Sequence, residues 1–416
     1  MKPKSSITPF TGYQKFIVAV LAFINFTVVL DFMILSPLGD ILMKSLEMTP
    51  SEFAYVVSSY AISAWLSGIA AAGFADRFDR KKILIFFYVG FVIGTLFCGI
   101  ANTHYTLLAA RIVTGLFGGV ISSIAMAIVT DIFQMDQRGR VMGTIQMAFA
   151  ASQVLGIPIA LFLATKWDWH VAFIMIVVIA VLVGIVMVIK MKPVTAHLKL
   201  QSDKSAFTHL WHTARNRNYQ VGFLSTAMLS IGGFMLMPFG SAFLVNNIGI
   251  SQEQIPWVFM FTGISSVIVM PIIGRLSDRV DKFKLFTFGS LSALVMVIVY
   301  TNISVMPLWE VISLNVLLFM GIMSRIVPST ILTTAIPEMK DRGAFMSINT
   351  SLQYMAGGIS AIIAGQIVHQ ETKTSPIENY DILGYVVAFV ILICIYFMYR
   401  VSKVVKNKAE QVPINL

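Results

Sequence analysis

The chain has 416 residues, of which 57% are hydrophobic and 12% are charged, and its formal net charge is +10. A soluble domain usually carries about twice that share of charged residues, so the composition excludes an ordinary soluble fold and indicates a surface that faces lipid. A basic excess is also typical of nucleic-acid-binding proteins. Here, however, Lys and Arg fall in short clusters between long apolar runs, which predicts an integral membrane protein that binds no nucleic acid.

The N-terminus and the cysteines exclude two further classes. Lys2, Lys4 and Lys15 precede the first apolar run, which reaches Pro37 without a small-residue cleavage pattern. We therefore expect a retained helix and not a secretory signal peptide. The two cysteines lie in apolar runs far apart in the sequence, so we expect neither a disulfide framework nor a metal site.

Apolar runs recur along the whole chain. A helix needs about 20 mostly apolar residues to cross the hydrocarbon core of a bilayer. Twelve segments meet this requirement and predict an all-α integral membrane protein; they are residues 16–37, 54–74, 83–101, 105–129, 141–164, 170–190, 219–245, 257–277, 284–303, 306–335, 345–369 and 382–403.

The distribution of Lys and Arg predicts the orientation of these spans. Of the 30 Lys and Arg residues, only Lys44, Lys166 and Lys373 lie in the loops on one side, and Arg111 and Arg325 lie inside spans. All the others lie at the termini or in the loops on the other side. Because basic residues are retained in the cytoplasm, we expect both termini to be cytoplasmic, in the inner membrane of a bacterium.

The longest loop, residues 191–218, is polar and basic and divides the chain into six spans on each side. We interpret it as a solvated linker, with attraction to anionic lipid headgroups as the alternative. The predicted domains are an N-terminal six-helix bundle (residues 1–190), a cytoplasmic linker (residues 191–218) and a C-terminal six-helix bundle (residues 219–416).

Two motifs recur at equivalent places in the two halves. After span two the chain reads AGFADRFDRKK (residues 72–82), and after span eight it reads GRLSDRVDKFK (residues 274–284). After spans four and ten it reads MDQRGRVM (residues 135–142) and MKDRGAFM (residues 339–346). Both motifs keep the same side of the membrane in each half, as expected for parallel repeats related by an axis along the membrane normal.

These motifs resemble the major facilitator superfamily over nearly the full chain. The family's loop signature is Gly-x-x-x-Asp-Arg-x-Gly-Arg-Lys, and this chain departs from it at the second Gly, which is Asp79 and Asp281, and at Ala72. RIVTG (residues 111–115) resembles the family's Arg-x-x-x-Gly element. LGIP (155–158) and WHVAF (169–173) resemble the drug and sugar efflux branch of proton antiporters, which usually has Arg where His170 stands. The resemblance implies two pseudo-symmetric six-helix bundles that rock about a midplane site.

Three charged side chains lie well inside the predicted spans, away from the span ends: Asp31, Arg111 and Arg325. Because charges are costly in lipid, each should face the protein interior or a water-filled cavity. Asp31 and Arg111 lie at matching depths, so we expect them to interact. Proton coupling is the favoured interpretation, since protonation of Asp31 would release Arg111. The alternatives are a structural ion pair, or an Asp31 that simply lies at the membrane interface.

Arg325 has no evident acidic partner within a span. We expect it to bind an anionic or hydroxyl-rich substrate, the alternatives being hydrogen bonds to helix carbonyls and a role in gating. In the repeat alignment Asn315, not Arg325, occupies the position of Arg111. For a further set of polar residues, contact with substrate in the cavity and hydrogen bonding between helices are equal alternatives: Asn25, Gln146, Gln153, Asn315, Gln353 and Tyr354.

The resemblance also implies a cytoplasmic gate formed by the paired loops. Asp76 would meet a helix N-terminus of the other half, Arg80 would pair with Asp131, and Asp278 would take the part of Asp76 in the second copy. Arg77 and Arg279 complete the two loops. The alternative is that these charges only fix the topology.

The favoured function is proton-coupled export of a small organic molecule by a functional monomer without cofactor or metal. The alternative within transport is uptake or uncoupled facilitated diffusion of an anionic or hydroxyl-rich solute. A membrane enzyme or receptor is disfavoured, because none of the six histidines lies in the middle of a span, and His209 and His212 share a loop without a nearby carboxylate or cysteine. The sequence has no Gly-x-x-x-x-Gly-Lys phosphate loop, so a proton gradient is the expected energy source.

Overall fold

The computed structural model describes residues 9–72, 77–195, 198, 206–338 and 341–410. This part of the chain is helical and contains no strand, apart from an isolated bridge between His369 and Glu378. A π-helical turn (Ser152–Gly156) joins α6 to α7, and a 3-10 turn (Met237–Phe239) lies between α10 and α11. The helices are α1 (Gly12–Ile34), α2 (Gly39–Ser45), α3 (Pro50–Ala72), α4 (Arg80–Cys98), α5 (His104–Ile132), α6 (Met135–Ala151), α7 (Ile157–Lys166), α8 (Trp169–Lys190), α9 (Ala206–Arg215), α10 (Arg217–Phe234), α11 (Gly240–Asn246), α12 (Ile255–Arg279), α13 (Lys282–Thr301), α14 (Leu308–Thr334), α15 (Arg342–Ile367) and α16 (Tyr380–Glu410).

Eleven helical segments of the described chain are long and apolar enough to cross a membrane, counting Gln137–Lys166 and Arg217–Asn246 as continuous spans. The twelfth predicted span corresponds to α15, which has 26 residues and is therefore about 39 Å long. Its apolar content is lower because it carries buried polar side chains, including Asn349, Ser351 and Ser360. It packs between α3 and α10, so it faces protein where other spans face lipid. The predicted all-α membrane fold is confirmed.

The two halves of the chain repeat the same helix contacts. In the first half α3 and α4 pack on α5, α1 packs on α6 and α8, and α4 packs on α8. In the second half α12 and α13 pack on α14, α10 packs on α15 and α16, and α13 packs on α16. Each pair in one half has its counterpart in the other, as the repeated motifs predicted. The boundaries placed at residues 190 and 218 stay predictions; α9 forms inside the expected linker and contacts α10 and α15.

The repeated loops end in the same helix cap. Asp79 precedes α4 with φ −54° and ψ 123°, and Asp281 precedes α13 with φ −55° and ψ 125°. Each carboxylate accepts hydrogen bonds from free amides of the first helical turn, Asp79 from Lys81 and Asp281 from Phe283 and Lys284. An N-cap of this kind stabilises a helix by about 1 kcal/mol. The aspartates that replace the family's second Gly therefore start the next helix.

The two ends of the bundle differ in charge. We call the end that carries the loops around Arg77 and Arg279 the basic end, and the other the opposite end. The halves meet along α3 and α15, and α12 packs extensively on α7 and the π-helical turn but little on α6. Because α7 leads towards the opposite end and α6 towards the basic end, α12 lies closer to the first half at the opposite end.

Close packing of α3 on α5 depends on glycine. A Cβ added at Gly119 would lie 2.5 Å from Cα of Ala64, whereas a Cβ at Gly143 of α6 would meet nothing within 4 Å. We expect Gly119→Ala to destabilise the protein by about 1–3 kcal/mol, because the helices must separate. Gly143→Ala is the matched control and should be neutral or stabilising by up to about 1 kcal/mol. Melting temperatures in detergent compare them; equal values would contradict the close contact.

Candidate functional site

The structure brings Asp31 and Arg111 together in the interior of the N-terminal half. Nη1 of Arg111 donates to Oδ2 of Asp31 at 2.8 Å and to the Asp31 carbonyl at 3.2 Å. The hydroxyl of Thr95 donates to the other carboxylate oxygen at 3.1 Å. Asp31 is 0% exposed and Arg111 is 1% exposed. We call these two residues the central pair. Removing one partner from such a buried pair leaves the other charge uncompensated.

An aromatic cluster connects the central pair to the interface between the halves. The guanidinium of Arg111 lies 4.6 Å from the ring centroid of Tyr60, and the Tyr60 ring contacts Phe32 at 5.2 Å. Phe32 in turn contacts Phe234 at 5.8 Å and Tyr354 at 6.2 Å, both from the C-terminal half. The Tyr60 hydroxyl is buried and has no hydrogen-bond partner among the described residues. Tyr60 and Phe32 are thus the two side chains that connect Arg111 to Phe234 of the other half.

A small cavity lies at this interface. It has a volume of about 20 Å³, which is room for about one water molecule. Its walls come from α1, α3, the segment between α10 and α11, and α15, and they are formed by Phe32, Ser36, Val57, Ala61, Phe234, Met237, Pro238, Gly357 and Ala361. This cavity is too small for an organic molecule in this conformation, so its walls must move apart before a substrate can bind beside Phe32.

The polar residues predicted to line the cavity lie in different environments. Asn25 donates to the Ile145 carbonyl at 3.3 Å, and Gln153, in the π-helical turn, is buried with its amide 3.9 Å from the Met33 sulfur. Gln353 is exposed, and Tyr354 reaches the aromatic cluster. The side chain of Gln146 lies outside the described part of the structure.

Asn315 occupies the position in the second half that corresponds to Arg111. Its carbonyl oxygen accepts from the Thr262 hydroxyl at 2.9 Å, and its amide donates to the Tyr300 hydroxyl at 3.1 Å. These contacts join α12, α13 and α14. The side chain is only 6% exposed, so in this conformation it connects helices and does not face a substrate.

Arg325 lies inside the C-terminal half and away from the cavity walls. The side chain is buried, with its guanidinium 5.7 Å from the ring centroid of Phe286 and beside the Cys394 thiol. Nε and Nη2 of Arg325 have no acceptor within the described chain. Residues of α13 and α16 contact the side chain in this conformation, and a substrate contact of Arg325 stays a prediction.

The isolation of Arg325 leads to a prediction about stability. We expect Arg325→Met to stabilise the protein by about 1–3 kcal/mol, because it removes buried donors without acceptors. Arg80→Met is the matched control and should destabilise, since Arg80 is paired. Thermal unfolding in detergent gives the sign of each change. A loss of stability for Arg325→Met as large as that for Arg80→Met would show that Arg325 has a partner. Retained stability with lost transport of anionic solutes would indicate a substrate role.

The structure describes part of the predicted gate. Nε of Arg80 donates to Asp131 at 3.2 Å, and the Arg80 side chain is buried. Arg77, Asp278 and Arg279 are exposed. Asp76 lies outside the described residues, so its contact with a helix N-terminus stays a prediction.

Sequence reasoning missed Asp40, because this residue lies beyond the end expected for span one. It is 1% exposed and pairs with Lys44 at 2.8 Å. The spacing of an acid and a base by four residues was the available signal. Tyr60 and Thr95, which contact the central pair, had no comparable signal.

Comparison with known proteins agrees with this geometry. The profile described as Major Facilitator Superfamily matches residues 21–364 and 222–413. The chain belongs to this superfamily. An uncharacterized MFS-type transporter, YceJ of Bacillus subtilis, is 23% identical over 363 residues, which are 84% of this chain and 88% of that protein. The bicyclomycin resistance protein homologue of Haemophilus influenzae is 24% identical over 246 residues, 57% of this chain and 60% of that protein.

Solved structures show the same fold. A bacterial homologue of the human lysosomal transporter Spinster, in an inward-facing and unoccupied conformation, superposes with a TM-score of 0.77 at 15% identity and covers 96% of this chain and 99% of that one. The predicted family and fold are thus confirmed. This superfamily member is a multi-pass membrane protein, and its relatives are transporters and not enzymes.

Proposed function

We propose that this chain exports a small organic molecule in exchange for protons, by alternating access between its two halves. The observation that carries the proposal is the central pair, a carboxylate and a guanidinium that are wholly buried among spans of an otherwise sparsely charged membrane domain. Intramembrane acids of this kind commonly serve proton relays. The resistance name of the Haemophilus relative also supports export.

The mechanism follows from the contacts of Asp31. When Asp31 takes up a proton, Arg111 loses its counter-ion but still contacts the Asp31 carbonyl and the Tyr60 ring. A buried cation without a counter-ion is costly, so the surrounding side chains must rearrange or admit water. Tyr60 and Phe32 then pass this change to Phe234 and Tyr354 of the other half. Protonation would thus favour a different arrangement of the halves.

We further propose that the basic end is cytoplasmic and that the protein works as a monomer in the bacterial inner membrane. Positive residues concentrate at this end, and α12 lies further from the first half there than at the opposite end. A substrate would therefore enter from the cytoplasm in the conformation described. The aromatic and methionine side chains at the cavity suit an apolar substrate face.

One observation favours a second candidate, an uncoupled facilitator. Both carboxylate oxygens of Asp31 have a donor within the N-terminal half, so the central pair could serve only to hold α1, α4 and α5 together. A structural pair would remain ionised throughout the cycle.

Inside-out vesicles that contain the protein test the proposal. A pH gradient is imposed, and a panel of antibiotics, sugars and metabolite anions is added in turn, with protein-free vesicles as control. A compound that dissipates the gradient only with the protein present would support proton exchange and identify the substrate class. Equilibration of a labelled compound without any proton movement would instead identify a facilitator.

A further inference from the structure

Asp40 is the centre of a polar network that joins the two halves at the opposite end. Its Oδ1 accepts from the Asn246 amide at 2.6 Å, and its Oδ2 accepts from Lys44 at 2.8 Å and from the Gln252 amide. Lys44 also donates to the side-chain oxygen Oδ1 of Asn246 at 3.0 Å. Asp40 and Lys44 belong to the first half, whereas Asn246 and Gln252 belong to the second.

A second layer of hydrogen bonds lies between this network and the cavity. The backbone amide of Asp40 donates to the Ser241 hydroxyl at 3.4 Å, and Ser241 donates to the Ser36 carbonyl at 3.0 Å. The Ser36 hydroxyl donates to the Met237 carbonyl. Ser36 and Met237 are also walls of the cavity. The two layers therefore close the cavity at the opposite end.

Burial separates this network from the other contacts at the same end. The side chain of Asp40 is 2% exposed, whereas the ion pair between Glu47 and Lys373, which also joins the halves, is 78% and 47% exposed. Exposed pairs of this kind contribute little because water and salt screen them. Hydrogen bonds to a buried carboxylate contribute more than neutral ones. The network around Asp40 is therefore expected to stabilise the closed state more than the ion pair between Glu47 and Lys373 does.

The arrangement of charge also allows the network to open. The ion pair of Asp40 and Lys44 lies within one short helix, α2, so both charges stay together when the halves separate. Only the neutral amides of Asn246 and Gln252 leave, and water can replace them. A direct ion pair between the halves would have to separate two charges instead.

We propose that Asp40 is the positioning residue that holds the opposite end closed and that it exchanges its two amide donors for water when that end opens. This inference rests on the alternating access proposed above but on neither the protons nor the substrate. Asp40 does not contact substrate; its role is to set the ratio of closed to open molecules.

Distances between two spin labels test the proposal. Labels are attached at Tyr105→Cys and Val305→Cys, which are 72% and 76% exposed at the opposite end of the two halves. The native cysteines, both buried, are first replaced by alanine. Pulsed electron paramagnetic resonance on the full chain in lipid nanodiscs, without substrate and at fixed pH, then measures the closed and open populations.

We expect Asp40→Ala to raise the ratio of open to closed molecules about tenfold or more, since charge-assisted hydrogen bonds of this kind are each typically worth that factor. Asn246→Ala and Gln252→Ala should shift the ratio in the same direction. Glu47→Gln is the matched control and should leave it unchanged. Unchanged distances in the three network variants, or an equal shift with Glu47→Gln, would overturn the role of Asp40.

Two features keep the result interpretable. If Asp40→Ala does not yield monodisperse protein, the amide variants decide, because they remove only neutral donors. The measurement also separates this proposal from proton-coupled export: a shift in distances together with proton-independent transport would support the role of Asp40 and contradict the coupling. Unchanged distances together with proton exchange would contradict the role of Asp40 and support the proton coupling.

Discussion

Asp31→Asn is expected to abolish proton-driven accumulation of substrate while leaving its exchange across the membrane intact. An amide of the same shape keeps an acceptor for Arg111 and a partner for Thr95, both of which contact Asp31 in the structure, but it takes up no proton. With one-for-one exchange, a gradient of one pH unit can sustain a concentration ratio of about tenfold. The variant should show a ratio near one in vesicles, whereas the wild type should accumulate substrate.

The matched control for this variant is Glu310→Gln, which makes the same chemical change at an exposed position in the first turn of α14. It should accumulate substrate like the wild type. Counterflow of labelled substrate, measured without a gradient, shows whether each variant still binds and translocates. Accumulation by Asp31→Asn at the wild-type level would exclude Asp31 as the coupling group and favour the structural interpretation of the central pair.

Arg111→Met is expected to cause the largest loss of stability, about 3–5 kcal/mol, because it leaves the Asp31 carboxylate buried without its cation. Both side chains are at most 1% exposed, so water does not compensate for the loss. The double variant Asp31→Asn/Arg111→Met removes both charges and should recover most of the stability. Thermal unfolding of the two single variants and the double variant in detergent completes a double-mutant cycle.

Stability and proton-driven accumulation of the double variant, measured side by side, distinguish an effect on folding from an effect on transport. The double variant should be at least as stable as Asp31→Asn, which leaves the Arg111 guanidinium without a counter-ion, but it should show no proton-driven accumulation. If the effects of the two single substitutions simply add, the residues do not interact, and the observed distance of 2.8 Å between Nη1 and Oδ2 would have no energetic meaning.

Much of the fold could be predicted from composition and periodicity. The apolar runs predicted the spans, and the repeated loop motifs predicted that the halves share one pattern of helix contacts. α15 shows the limit of hydropathy alone. With buried polar residues such as Asn349 and Ser351, it is less apolar than the other spans, and only its place between α3 and α10 explains why a membrane helix tolerates them.

The candidate site was predictable only in part. A charge inside an apolar run is rare and costly, so Asp31, Arg111 and Arg325 were evident from the sequence, and matching depth predicted that the first two interact. Arg325 had the same signal but lies against Phe286 and away from the cavity, because a charge pattern along a helix does not show which neighbour it faces.

The sequence by itself determined that this protein crosses the membrane, because the cost of placing each side chain in lipid or in water depends on that residue type. Its repeated motifs also indicated the family. Only the tertiary structure decided that Tyr60 and Phe32 connect the central pair to the other half and that Asp40 binds Asn246 and Gln252 across the interface. The contacts of Asp40 join residues that are 206 and 212 positions apart. They arise from how helices pack, which no local property of the chain specifies.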